Sequence, residues 1–148
     1  MFLTTNNPAS IPANHGWYVD LPVSSQRDNT DPALQLATLN FTTNIPDASG
    51  SACTIGGSSY DLSFDYRTGG AVSTAAVTTT NIFGVKTTVY ISGASLGNSM
   101  ATRPIYVELP SGAVIALIRM GTGNTVVANV PIGGGGGNTR RVSWREIN

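Results

Sequence analysis

A chain of 148 residues has the length of about one domain and buries roughly two thirds of its unfolded surface on folding. Only 11% of the residues are charged and the formal net charge is zero. The single cysteine, Cys53, excludes an internal disulfide, and no apolar run approaches the roughly 20 residues that a membrane-spanning helix needs.

Abundant Ser, Thr, Asn and Gly suit a turn-rich, all-β, exported protein better than a helical cytosolic one. Residues 1–15 carry Asn6-Asn7-Pro8 and Pro12 with little periodicity and read as a loop or mobile leader. They show neither the basic nor the long apolar region of a secretory signal, so the expectation is a mature product or a piece of a longer exported chain. Residues 16–21 form the first clear strand pattern. Residues 24–32 are polar and end in Asp31-Pro32, a turn signal. From Ala33 a strand begins, with Ala37, Leu39 and Phe41 on one face, Thr38 and Asn40 on the other, and Leu36 as the exception on the polar side. Residues 46–59 are a long Gly/Ser loop that precedes a hairpin arm at 60–66, whose turn is Arg67-Thr68-Gly69-Gly70.

Residues 73–85 are β-prone and hold one strand, followed by a second at 87–92 and a loop at 93–103. Residues 104–109 form another strand. Pro110-Ser111-Gly112 then turns the chain into AVIALIRM at 113–120, the most apolar run and the expected fully buried strand. Only eight residues separate Gly112 from Gly121, too few for a convincing helix. A further strand falls at 124–132. A glycine tether at 133–138 and a closing strand at 139–148, with Val142 and Trp144 alternating against charged neighbours, complete the chain. The β domain proper is thus expected over 16–132.

Three strands share one grammar. Trp17 and Val19 precede Asp20, Leu62 and Phe64 precede Asp65, and Ile105 and Val107 precede Glu108, each pair at minus three and minus one. The outer copies read YVDLP and YVELP, and spacings of 45 and 43 residues match the period of four-stranded propeller blades. The expected fold is all-β and antiparallel, a propeller-like section of about three blades, with a β-sandwich or barrel as the alternative. A closed propeller usually needs at least four blades, and an open arc exposes strand edges. Residues 1–65 carry a balance of −5 and residues 66–148 one of +5. That division favours attraction between the two halves over nucleic-acid binding, because the bases are spread too thinly to track phosphates.

No catalytic constellation is present. His15 is the sole histidine, at a loop tip. Cys53 lies in a Gly/Ser loop with no basic neighbour to favour its thiolate, and its better use is a disulfide to another chain or none. Asp47, Ser49 and Ser51 have the opening spacing of a calcium loop but only one charged member. Asp61 with Asp65, and Asp28 with Asp31, read as solvated or turn-capping pairs. The run 133–137 lacks the Lys-Ser/Thr and the helix of a phosphate loop. Trp17, Tyr18, Tyr60, Tyr66 and Trp144 offer a contact surface, core packing being the ordinary use of each. Catalytic, cofactor and metal residues are accordingly expected to be none.

GWYVDLP at 16–22, QRDNTDP at 26–32, FTTNIP at 41–46, CTIGG at 53–57, SSYDLSFDYRTGG at 58–70 and RRVSWREI at 140–147 together resemble the C-terminal propeller region of type IV pilus tip-associated adhesins of the PilY/PilC type. The resemblance covers residues 16–72 and the last eight residues well, and 73–139 weakly. It implies a secreted, cell-surface or outer-membrane-associated protein of the fimbrium that supports pilus assembly, counteracts retraction and contributes to adhesion. It implies a non-enzymatic module whose partners are minor pilins, other segments of the same pilus-tip protein, or a host or abiotic surface. The acid-rich calcium loop of some members has no counterpart here, and no cofactor is carried over. A fragment of a quinoprotein-type propeller enzyme, on the FDYRTGG hairpin at 64–70, and a phage or surface fibre tip are the alternatives.

Overall fold

The computed structural model describes residues 2–4 (backbone only), 8–10, 13, 15–47, 56–72, 75–80 and 82–133. Ten strands are present among them and no helix: β1 (Phe2–Thr4), β2 (Arg27–Asp28), β3 (Ala33–Gln35), β4 (Thr38–Pro46), β5 (Gly57–Asp65), β6 (Ala76–Thr80), β7 (Lys86–Gly97), β8 (Ile105–Glu108), β9 (Val114–Arg119) and β10 (Thr125–Val130). All pairings are antiparallel. The expected all-β antiparallel class is therefore what the chain adopts.

The strands divide into two sheets. A seven-stranded sheet runs β1-β7-β5-β4-β2, with β3 also on β4 and β6 also on β7, and a three-stranded meander runs β10-β9-β8. Two long strands organise the larger sheet. β4 and β5 pair along their whole length, from Thr38↔Asp65 to Pro46↔Gly57. β7 pairs β5 through its second half, Ser95 and Gly97 included, and β6 through its first half, Lys86 to Tyr90.

Strict alternation gives the β4–β5 pair two chemically different faces. Leu39, Phe41, Leu62 and Phe64 point to one side, where Trp17, Val19 and Leu21 pack over them. Phe64 stacks on Phe41 at 6.0 Å and meets Trp17 at 6.1 Å. Burying Leu62 and Phe64 completely stabilises the fold by roughly 1.5–3 kcal/mol each. The other face meets the meander. There Val114, Ala116 and Ile118 of β9, with Val130 of β10, pack with Leu96, Ala101 and Met120 in a second cluster, against which Leu36 also lies. The arrangement is that of two antiparallel sheets that face each other, with no closed barrel among the described residues.

Three blades are not seen among the described residues, because the three acids of the repeat occupy non-equivalent places. Asp20 lies in an irregular segment, Asp65 ends β5 in the large sheet, and Glu108 ends β8 in the meander. Residues 16–21 alternate like a strand, yet they serve as an apolar cover with no ladder partner. The stretch expected as a leader supplies β1, whose Leu3 pairs with Ile91. β7 continues to Gly97 through part of the expected loop. The apolar run 113–120, expected to be fully buried, buries Val114, Ala116, Ile118 and Met120 on one face only, while on the other Ile115 and Leu117 are half-buried and Ala113 and Arg119 exposed. Of the tether only Gly133 is described, and its N–H donates to Thr38 Oγ1 at 2.8 Å. The closing strand at 139–148 lies outside the described residues.

The central hairpin turns where the sequence predicted. Asp65 Oδ1 accepts from the backbone N–H of Arg67 at 2.9 Å and of Thr68 at 3.3 Å, and Gly69 N–H donates to Asp65 O. Gly69 has φ +66°, and a Cβ there would stand 2.5 Å from the Trp17 ring. The glycine is needed for the turn and for the close approach of that indole. Trp17 in turn donates its Nε1–H to Tyr66 O at 2.9 Å.

Candidate functional site

The face of β4–β5 that looks toward the meander carries Thr38, Asn40, Thr42, Asn44, Ser59, Asp61 and Ser63, and every one of them is buried. Polar groups removed from water destabilise a fold unless they find partners. Three of them, Thr42, Asn44 and Ser59, find them in the segment that leads from β7 to β8. Asn44 forms a two-point contact with Ala101, accepting its N–H on Oδ1 at 2.7 Å and donating Nδ2–H to its carbonyl at 3.0 Å. Ser59 Oγ donates to Ser99 O at 2.8 Å, and Thr42 Oγ1 donates to Thr102 O at 3.3 Å. Ser63 Oγ donates to Asn40 Oδ1 at 2.7 Å.

Asp61 departs from this pattern. It stands mid-strand, opposite Thr42 on β4 and Ala94 on β7, with a relative exposure of 5%. Its Oδ1 is buried and has no hydrogen-bond partner, and the same is true of the Tyr106 hydroxyl on β8. Burial pushes the Asp61 carboxyl up to about 7. The Tyr106 phenol is also raised, by burial first and by the negative charge of Asp61 second, so the two lie within electrostatic reach of each other across the sheet interface.

Asp61 lines a chamber of about 80 Å³ together with Ser63, Ser92 and Asn129. The chamber shares Ile91, Asn129 and Pro131 with a larger cleft of about 420 Å³, whose other walls include Val77, Val114, Val130 and Ile132. A wide apolar cleft with a small polar end that holds one unsatisfied carboxylate is a general plan for a ligand site.

The residues singled out from sequence fall elsewhere. Asp65 caps its turn as expected. Burial alone would raise its carboxyl, but the Arg67 N–H and guanidinium and the Thr68 N–H outweigh that and hold it below the ordinary value. Asp28 Oδ1 accepts the Thr30 N–H at 3.1 Å, and Asp31 pairs with Arg103 at 3.2 Å, an exposed bridge between the acidic and basic halves. Asp61 differs from the expected solvated or turn-capping role, because it is buried in the middle of β5. Its neighbours Ser59 and Ser63 share its face, a polar alternation that normally marks a solvated side of a sheet.

His15 is exposed. Tyr18 is 86% exposed and Tyr66 also faces solvent, whereas Trp17 and Tyr60 are half-buried against Phe41, Leu62 and Phe64. Cys53, Ser49, Ser51 and Trp144 lie outside the described residues. Among the described residues no group of three His, Cys, Asp or Glu is placed to hold a metal ion. Nor is any helix there long and apolar enough to cross a membrane.

One surface feature complements the buried site. β6 is exposed along its length, and the tip joining it to β7 presents Ile82 at 92% and Phe83 at 82% exposure, with Val85 beside them.

No family model matches the chain, and no solved structure does. The chain is similar to the type IV pilus biogenesis factor PilY1 homolog of Xylella fastidiosa, with 38% identity over 74 residues. The match takes in 47% of this chain and 5% of that protein's length.

Proposed function

We propose that this chain is a non-enzymatic interaction module of a type IV pilus-associated cell-surface protein, supporting pilus assembly and surface adhesion through contacts with minor pilins. The observation that carries this reading is the 38% identity over 74 residues to the PilY1 homolog of Xylella fastidiosa. The exposed Ile82 and Phe83 supply a means: a hairpin tip that presents large apolar side chains to solvent. Its stem is built of Thr-rich strands and carries Lys86 as the only charge among the described residues from 75 to 90.

The test replaces Ile82 and Phe83 by serine in the chromosomal copy of the gene and counts surface pili and attached cells. Loss of either, with unchanged protein level, supports the reading. Normal piliation and attachment, together with a failure of the purified wild-type chain to crosslink to minor pilins, would falsify it.

A further inference from the structure

We propose that the cleft between the two sheets is a binding site for an alkylammonium group, an ammonium carried on an apolar stem, with Asp61 as its counter-ion.

Three observations carry this. Asp61 Oδ1 is buried without a partner, lines the inner chamber, and belongs to a residue that is 95% removed from solvent. Two buried polar atoms go unsatisfied at this interface, Asp61 Oδ1 and the Tyr106 hydroxyl, and since the two are not bonded to each other the carboxylate is open to a donor from outside the chain. The described cations do not supply one: Arg67 pairs with Asp65, Arg103 with Asp31, and Arg27, Lys86 and Arg119 are exposed on other surfaces.

The shape of the space selects the ligand class. The inner chamber of about 80 Å³ accepts a compact tetrahedral head, whereas a planar guanidinium asks for a wider, two-pronged acceptor. The outer cleft of about 420 Å³ is walled by Val77, Ile91, Val114, Val130 and Ile132, which suit a stem of several methylenes. A divalent cation is disfavoured because Asp61 is the only carboxylate on the chamber wall among the described residues. An ammonium matches both ends: it donates to the vacant Oδ1, it neutralises the charge that burial penalises, and its stem removes apolar wall from water. The same chemistry is available from a free amine or from a lysine side chain of another polypeptide. The inference is independent of the pilus reading.

The experiment uses the full chain and records backbone amide shifts by two-dimensional NMR during titration with n-hexylamine, n-hexanol and hexanoate, each at about pH 8, where Asp61 is ionised, and at the same ionic strength. n-Hexylamine is expected to shift Ser63, Gly93 and Ala94 and to bind at least about tenfold more tightly than n-hexanol, a preference of about 1.4 kcal/mol. Hexanoate, placing like charge beside Asp61, is expected to bind more weakly than either. Asp61→Asn, checked for an unchanged spectrum elsewhere, is expected to abolish the preference for the amine over the alcohol. A short acetylated peptide with one lysine between two valines separates the sources: tighter binding than n-hexylamine assigns the site to a lysine side chain, weaker binding to a free amine. Equal affinity for amine and alcohol on the wild-type chain, shifts confined to surfaces outside the cleft, or an amine preference that survives Asp61→Asn would each overturn the proposal.

Discussion

Asp61 makes the stability of this fold depend on pH in a direction opposite to that of most carboxylates. In the folded chain its carboxyl is raised from 3.8 to about 7 by burial. The unfolded chain has no such burial and releases the proton near the ordinary value. Between about pH 4 and about pH 7 the native state therefore holds a proton that the unfolded state has lost, and stability falls as pH rises through that window. Each pH unit is worth about 1.4 kcal/mol, so the full loss is about 4 kcal/mol, complete above about pH 7. That is a large part of the 5–15 kcal/mol typical of a domain. Asp65, held below its ordinary value, acts the other way, and its contribution disappears only as the solution becomes more acidic than about pH 4.

Urea unfolding followed by tryptophan fluorescence at half-unit steps from pH 4 to pH 8 measures the slope. Wild-type stability is expected to decline across the range and then level off. Asp61→Asn, which cannot ionise, should give a nearly flat curve that meets the wild type near pH 4 and lies above it at pH 7.5. A wild-type curve that is flat or rising between pH 5 and pH 7, or a decline unchanged in Asp61→Asn, would refute the reasoning.

Three further substitutions probe the frame. Leu36 and Ala37 form the two-residue turn between β3 and β4 with φ +44° and +65°, so Ala37→Gly should raise the unfolding free energy by about 1 kcal/mol, readable as a higher thermal midpoint. Gly69→Ala forces a methyl toward the Trp17 ring at a positive φ and should destabilise by about 2–3 kcal/mol, with a changed near-ultraviolet signal from the displaced indole. Asn44→Ala strips Ala101 of both backbone partners and should lower stability by about 2–4 kcal/mol in urea titrations, with faster amide exchange at Ala101 as the local signature.

Much of this frame is legible in the amino-acid order, and the exceptions are instructive. Leu62, Phe64 and the glycines that follow announce the central hairpin, because alternation and positive-φ residues are local properties. Leu36 falls on the polar side of the strand pattern. It lies in a tight turn instead, from which it reaches the core cluster around Val114 and Ile118. Trp17, Val19 and Leu21 alternate as a strand would, yet periodicity reports which side chains are covered and not whether the backbone has a ladder partner. The same limit explains the recurring acids: Asp20, Asp65 and Glu108 end similar strings whose neighbours in space are unrelated. The burial of Asp61 is the feature least visible in the amino-acid order. A polar face on a strand is ordinarily a wet face, and nothing in β5 itself announces that β8, β9 and β10 will close over it.

The bonded face of β4 and β5 also fixes how the two layers are aligned. Oily surfaces can slide past one another at little expense, since one methyl contact substitutes for the next. Asn44 and Ser59 allow no such substitution, because each engages one backbone position, Ala101 or Ser99, and a shift of a single residue would break both contacts at once. The layers are keyed rather than greased, and a load dragging one across the other meets a set of polar latches that must open together.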